Sequence, residues 1–341
     1  MDDKRKKQLI WQVPFLTLLI VGTVLIIRQQ RSLPYQSDKG SIFGTFYTIT
    51  YQSAQDYHQE ITAELQKVDT ALSMFNEQSV ISQINREQGG EANEMFMDVF
   101  NLAMKVSQET NGAFDITVAP LVNAWGFGFK GGEMPTRHQI DSIRHFVGWE
   151  KVTAKGMTIK KSDRRVMLDC SAIAKGYGVD VVARLLKSKG ITNFMVEIGG
   201  EIVTCGISPK RLPWKIGVVK PTEDSLAVGN EYLTILNVTD KAMATSGNYR
   251  RFYYKGGKRY AHTIDPKTGY PVQHSILSAT VLADDCATAD AYATSFMVMG
   301  LDKAKVILDK HTELMAYLIY TDQDNKLAVW FSPSLKDKIE E

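Results

Sequence analysis

Apolar residues recur along this chain in distinct rhythms, and each rhythm dictates a kind of element. Residues 9–27 form a predominantly apolar run, preceded by Lys4-Arg-Lys-Lys7 and followed by Arg28 and Arg31. At ~1.5 Å per residue a helix of that length spans roughly the hydrocarbon core of a bilayer, and Pro14 is tolerable there. Over 54–74, Ile61, Leu65, Val68 and Leu72 return at helical spacing and predict an amphipathic helix. A second helix is expected over 93–109, stopped by Asn111-Gly112, and a third after Thr136, whose hydroxyl suits a cap. Residues 42–51 alternate and are rich in Thr, Tyr and Ile, which predicts a strand.

The second half changes character. A short strand over 166–168 leads into a helix over about 172–189 that ends at Gly190. Strands are expected over 193–198, 202–207, 214–219, 233–238, 278–283, 315–320 and 327–331. Residues 251–254 and 259–264, joined through Lys255-Gly256-Gly257-Lys258, read as a hairpin. Helices are expected over 287–299 and 302–310. No internal repeat is present. Helices early and strands late argue an α+β fold of mixed or antiparallel sheets with flanking helices, not regular βαβ alternation. The expected division is a basic stub and membrane anchor over 1–31, a linker over 32–40, a folded domain over 41–333 and a charged tail over 334–341.

Composition narrows the function classes. With 341 residues the chain exceeds one small core, and 44% hydrophobic with 23% charged residues excludes long disorder. A net charge of +2 from scattered basic residues gives no electrostatic reason to expect nucleic acid as a partner. Positive charge is heavier before the apolar run than after it. The N-terminus should therefore stay cytoplasmic and the rest should cross, placing a single-pass protein in a bacterial inner membrane with its domain on the periplasmic side. A cleaved secretory signal is the competing reading, but no small-x-small site follows the run and no cysteine there could accept a lipid. Cys170, Cys205 and Cys286 form neither a metal-binding spacing nor a disulfide framework, so buried inert thiols are expected, with one disulfide as the alternative.

The candidate chemistry is densest over 287–300, where small apolar residues surround Asp290 and Thr294. Four residues apart on a helix, they share a face, and two hard oxygen donors there suit a cation of the magnesium type. The plainer alternative is a threonine bonded back to its own turn. Upstream, His262 adjoins the turn-rich stretch Asp265-Pro266-Lys-Thr-Gly269-Tyr-Pro271. A metal for phosphate oxygens and a base for a proton together suggest phosphoryl chemistry. His58, His138, His145, His274 and His311 have no comparable neighbours. Asp169 ends a strand before a small-residue turn and Lys175, an arrangement that can meet an anion, though simple capping by Asp169 or Ser171 serves equally. It is neither a Walker loop nor a GxGxxG. Phe114 and Trp125 among glycines can sandwich a planar ring or build an aromatic core. Gly199-Gly200 between Glu197 and Glu201 reads as a tight turn.

Taken together and in order, these motifs resemble the ApbE-type flavin transferases (FAD:protein FMN transferases). The resemblance runs from Gly44 to Phe331 through Gly44-Thr45-Phe46, Leu72-Ser73-Met-Phe75, Ser79 to Asn85, Gly112 to Pro120, Asp169 to Asp180, Glu197 to Glu201, Thr245 to Arg250, His262 to Pro271, and Ala289 to Thr294. It implies FAD in a cleft between two intimately joined halves, lined by Phe43, Phe75, Ala113, Phe114 and Asp115, with Asp169, Lys175 and Ile264 also in contact. It implies Mg²⁺ held by Asp290, Thr294 and the backbone oxygens of Ala172 and Ala293, and His262 near the diphosphate. The implied reaction moves FMN from FAD to a Thr or Ser hydroxyl of another protein and releases AMP, with His262 as base and Asp290 assisting. The implied acceptors are flavin-carrying subunits of membrane redox complexes, such as sodium-pumping NADH:quinone reductase. A Mg²⁺-dependent FAD pyrophosphatase and a non-catalytic flavin-binding protein are the alternatives. The chain departs from the family pattern at Phe43, where many relatives carry Met, and at Cys170 and Ala172.

Overall fold

An antiparallel sheet of eight strands runs through the computed structural model, which describes residues 3–128, 134–221, 231–248, 252–255 and 258–340. Its strands are β1 (Tyr35–Ile42), β2 (Thr45–Gln52), β3 (Phe194–Ile198), β4 (Glu201–Cys205), β5 (Ala242–Gly247), β6 (Ile276–Ala283), β7 (Met315–Thr321) and β8 (Leu327–Phe331). Each strand pairs with the next in the chain, so the sheet is laid down in sequence order despite long insertions.

Alternation along these strands sends side chains to two faces with different partners. On one face Ile49, Val196, Val203, Ala244, Val281 and Leu318 join the main core. Packed there are α2 (His58–Leu72), α3 (Glu94–Glu109), α4 (Ala174–Ser188) and α5 (Cys286–Met299). On the other face Ile202, Met243, Leu282, Tyr317 and Ile319 meet Ile216, Val218 and Leu236 of a second, three-stranded sheet. Ile61, Leu65, Val68 and Leu72 of α2 are all buried, as their spacing predicts. Asn93 caps α3 by accepting from the Phe96 N–H, and Thr136 forms a capping box with Gln139. The fold is α+β with antiparallel sheets, as expected.

Several expectations are corrected. Residues 42–51 are not one strand: Phe43 (φ 52°) and Gly44 (φ 72°) make a two-residue turn between β1 and β2. Most of the expected linker is therefore β1, an edge strand whose polar side chains carry little apolar signal. The charged tail is also structured, with Leu335 fully buried and Ile339 paired to Leu236. Residues 166–168 form only a bridge, between Met167 and Val118. All three cysteines are free, and burial pushes the thiols of Cys170 and Cys286 far above their usual range.

The apolar run at the start lies within one helix, α1 (Asp3–Ser32). A membrane-spanning helix is not found there: among the described residues no helix is long and apolar enough to cross a membrane.

Candidate active site

The site is built where the N-terminus of α4 meets α5. Asn85 grips the chain just before Asp169, accepting from the Leu168 N–H at 2.7 Å and donating to its carbonyl at 2.9 Å. Asp169 then donates its N–H to the Ile116 carbonyl at 2.6 Å. Its carboxylate accepts from the Ser171 N–H at 2.7 Å, a local turn bond in the loop ahead of α4; the helix itself follows Ile173 with no side-chain cap, so neither Asp169 nor Ser171 caps it. Gly176 lets the two helices touch, since a methyl group there would lie 2.4 Å from the Cys286 carbonyl oxygen. Asp180 locks the contact: its two oxygens accept from the Cys286 and Ala287 N–H groups, both at 2.8 Å, at the start of α5. Burial raises the Asp180 carboxyl to about 7.

Asp290 stands in the middle of α5, 4% exposed, accepting from the Gly176 N–H at 3.2 Å. Burial raises its pKa and Lys175 opposes that rise. Thr294 lies one turn further on and is half-buried. Its neighbour Ser295 bonds back to the Ala291 carbonyl at 2.7 Å, but among the described residues the Thr294 hydroxyl has no partner. The plain alternative for that threonine is therefore not realised. Ala293 is buried and Ala172 half-buried against the core.

Lys175 pairs with Glu201 at 2.5 Å. Burial works against its charge, but Asp290 and Glu201 more than offset this and hold the ammonium well above the usual lysine range. Burial raises Glu201 to about 7, against the pull of Lys175. Phe43 reaches the same region, its ring 2.6 Å from where a methyl on Gly178 would sit. Gly199, in the β3–β4 turn at φ 65°, has Thr45 and the Lys175 stem as its nearest neighbours.

A second group of expected residues lies along residues 112–117. Asp115 is buried, accepting from the Thr117 N–H and hydroxyl at 2.7 Å each and from the Trp149 N–H at 2.9 Å. Burial lifts its carboxyl to about 6 despite those bonds. Its side chain thus holds the loop together. Ala113 is buried too, and the Phe114 ring, 2% exposed, belongs to the main core, leaving backbone as the part of Phe114 that can meet a ligand. Phe75, by contrast, is 74% exposed.

The third group follows the hairpin Phe252–Lys255 and Lys258–Ala261. His262 is half-buried, its ring edge-on to Phe127 at 6.4 Å. Thr263 donates to the Asn248 side chain at 2.5 Å, and buried Ile264 bridges to Pro271. Trp125 anchors the loop by donating to the Gly269 carbonyl at 2.7 Å and stacks on Tyr260, so the aromatics near glycine build a core cluster. Tyr249 and Arg250 of the Thr245 motif lie outside the described residues.

These groups connect. Trp149 and Lys267 both lie against Gly112, joining the His262 loop to residues 112–117. The Ile116–Asp169 bond joins those residues to α4, and Gly176 joins α4 to Asp290. Asn85, Asp180 and Glu201 are the contributors that residue type alone did not single out. Among the described residues no three His, Cys, Asp or Glu side chains could together hold a metal ion.

Residues 43–319 match the family model described as the ApbE family, and the chain belongs to that family. It is an enzyme, as are the curated relatives it matches. It is 35% identical over 327 residues to the FAD:protein FMN transferase of Vibrio cholerae, covering 93% of this chain and 95% of that one. The solved structure of the flavin transferase ApbE from Vibrio cholerae superposes with a TM-score of 0.82 over 90% of this chain and 99% of that one. The apo flavinyl transferase ApbE of Pseudomonas stutzeri gives 0.80 at 27% identity, over 90% and 97% of the two chains.

Proposed function

We propose that this chain transfers FMN from FAD to the hydroxyl of a Thr or Ser in an acceptor protein, releasing AMP. The observation that carries this reading is the unbroken set of contacts from the His262 loop through residues 112–117 and Asp169 to Asp290. It ties the loop that carries the His262 imidazole to the helices that carry Lys175, Asp290 and Thr294. FAD would lie in a cleft between the two halves, meeting Phe43, Phe75, the backbone of Ala113 to Asp115, Asp169, Lys175 and Ile264.

The donor set fits Mg²⁺. Asp290 is buried with one long hydrogen bond, and Thr294 offers an unpartnered hydroxyl one turn away. These two side chains and the backbone oxygens of Ala172 and Ala293 would hold the ion. When bound, the ion supplies positive charge against the diphosphate oxygens. His262 accepts the proton of the attacking hydroxyl, with Asp290 assisting, and the hydroxyl oxygen bonds to the FMN phosphorus as the phosphoanhydride bond to AMP breaks. Lys175, a fixed positive charge, complements the phosphates.

The acceptors on this reading are flavin-carrying subunits of membrane redox complexes. We place the domain on the outer face of a bacterial inner membrane, a reading supported by the basic residues that precede the apolar run in the sequence and by the exposed Phe15, Leu16, Leu18 and Leu25 of α1. The test incubates the full chain with FAD and Mg²⁺, with and without a Thr-containing acceptor, and separates the nucleotides. AMP release that needs acceptor and stops on chelation is expected. FMN and AMP formed at equal rates without acceptor would identify an FAD pyrophosphatase instead, and intact FAD throughout a binding protein.

A further inference from the structure

Glu201 carries a buried charge that the reaction above leaves without a task. It opens β4 directly after the Gly199-Gly200 turn, opposite Ile198, so sheet register fixes its backbone. Only 3% exposed, it meets Lys175 through Oε1, while Oε2 is buried without a hydrogen-bond partner. Such an oxygen is costly to keep, and an apolar side chain would fill the space without that cost. Asp290 also acts on the Lys175 charge. Yet Glu201 is the only ion-pair partner of Lys175 among the described residues, and Asp290 keeps just the 3.2 Å bond from Gly176.

We infer that Glu201 is a positioning residue that parks the Lys175 ammonium, keeping the Asp290 carboxylate free of an internal ion pair and open to a divalent cation. The inference rests on the Mg²⁺ reading of Asp290 and Thr294. A lysine on a flexible stem in a poorly hydrated site turns to the nearest available carboxylate. Without the Glu201 charge that carboxylate is Asp290, and an ammonium seated there occupies the oxygens and cancels the charge that a cation needs.

The test is a calorimetric titration of Mg²⁺ into the FAD-free full chain, with unfolding curves recorded for each variant. Glu201→Gln keeps the shape and removes the charge; it should weaken Mg²⁺ binding by about 10–100-fold, the usual effect of losing a partner just outside the ligands. Glu201→Asp should restore part of the loss. Adding Lys175→Met to Glu201→Gln removes the competing ammonium and should restore most of the affinity, which no merely structural role would do. Equal binding by wild type and Glu201→Gln overturns the inference alone, as does a folded double variant that binds no tighter than Glu201→Gln. Should Glu201→Gln fail to fold, the double variant decides: wild-type-like binding supports parking, and its loss overturns it. A wild type that binds no Mg²⁺ overturns the metal reading and the inference with it.

Discussion

Asp290 and Thr294 were legible as a pair because helical spacing is a local property: four residues put both on one face of α5, and both stand there. The value of the pair depends on distant residues that the sequence does not point to. Glu201 reaches Lys175 of α4, and Asp180 of α4 reaches the start of α5, only through tertiary contact, and each reads as an ordinary turn or helix charge. On the proposed chemistry, Asp290→Asn and His262→Ala should each lower kcat by about 10²–10⁴-fold. Unfolding curves close to wild type would separate that loss from misfolding, and unchanged turnover in His262→Ala would remove the histidine from the reaction. Asp180 gives a pH signature. Its folded-state pKa is raised from 3.8 to about 7 by burial, so its contribution to stability is complete below about 4 and is lost as pH rises through about 7. Asp180→Asn should therefore flatten the fall in stability between pH 4 and 7, measured by urea unfolding; parallel curves for the two proteins would contradict this.

Elements with strong periodicity were read correctly, and those without it were not. Helix α2 shows one buried stripe, and the central strands of the second half stand out as short apolar, β-branched runs because both faces of the sheet are covered there. Strand β1 was missed because it is a polar edge strand, and the turn before β2 because its first residue is Phe43, at a positive φ that glycine or asparagine usually signals. The contact between α4 and α5 rests on glycine, and two glycines of α4 make opposite predictions. A methyl at Gly176 meets backbone of α5, which cannot give way, so Gly176→Ala should cost about 1–3 kcal/mol in denaturant unfolding and shift the N–H that Asp290 accepts. A methyl at Gly178 meets the Phe43 ring, a side chain that can swing aside. Gly178→Ala should change stability little and weaken FAD binding, read by flavin fluorescence. Equal stability losses would show that Phe43 is as fixed as the backbone.

The whole molecule shows why the fold class was readable while the site was not. Strands laid down in chain order keep neighbours in sequence adjacent in the sheet, so local patterns sum to the architecture. The proposed site, in contrast, draws on residues 43, 112–117, 169–180, 201, 262–264 and 290–294, which lie far apart in the chain and come from the insertions between strands. Motif order carried the family, and the proposed reaction is what would give those scattered residues a common task. The central claim is that this task is group transfer to a protein hydroxyl. Its most direct test is the intact mass of a Thr-containing acceptor domain after incubation with the full chain, FAD and Mg²⁺. A gain equal to one FMN phosphoester, matched by AMP in solution and absent from an acceptor whose Thr is replaced by Ala, is the expected result. An unchanged acceptor mass while FAD is consumed would contradict it.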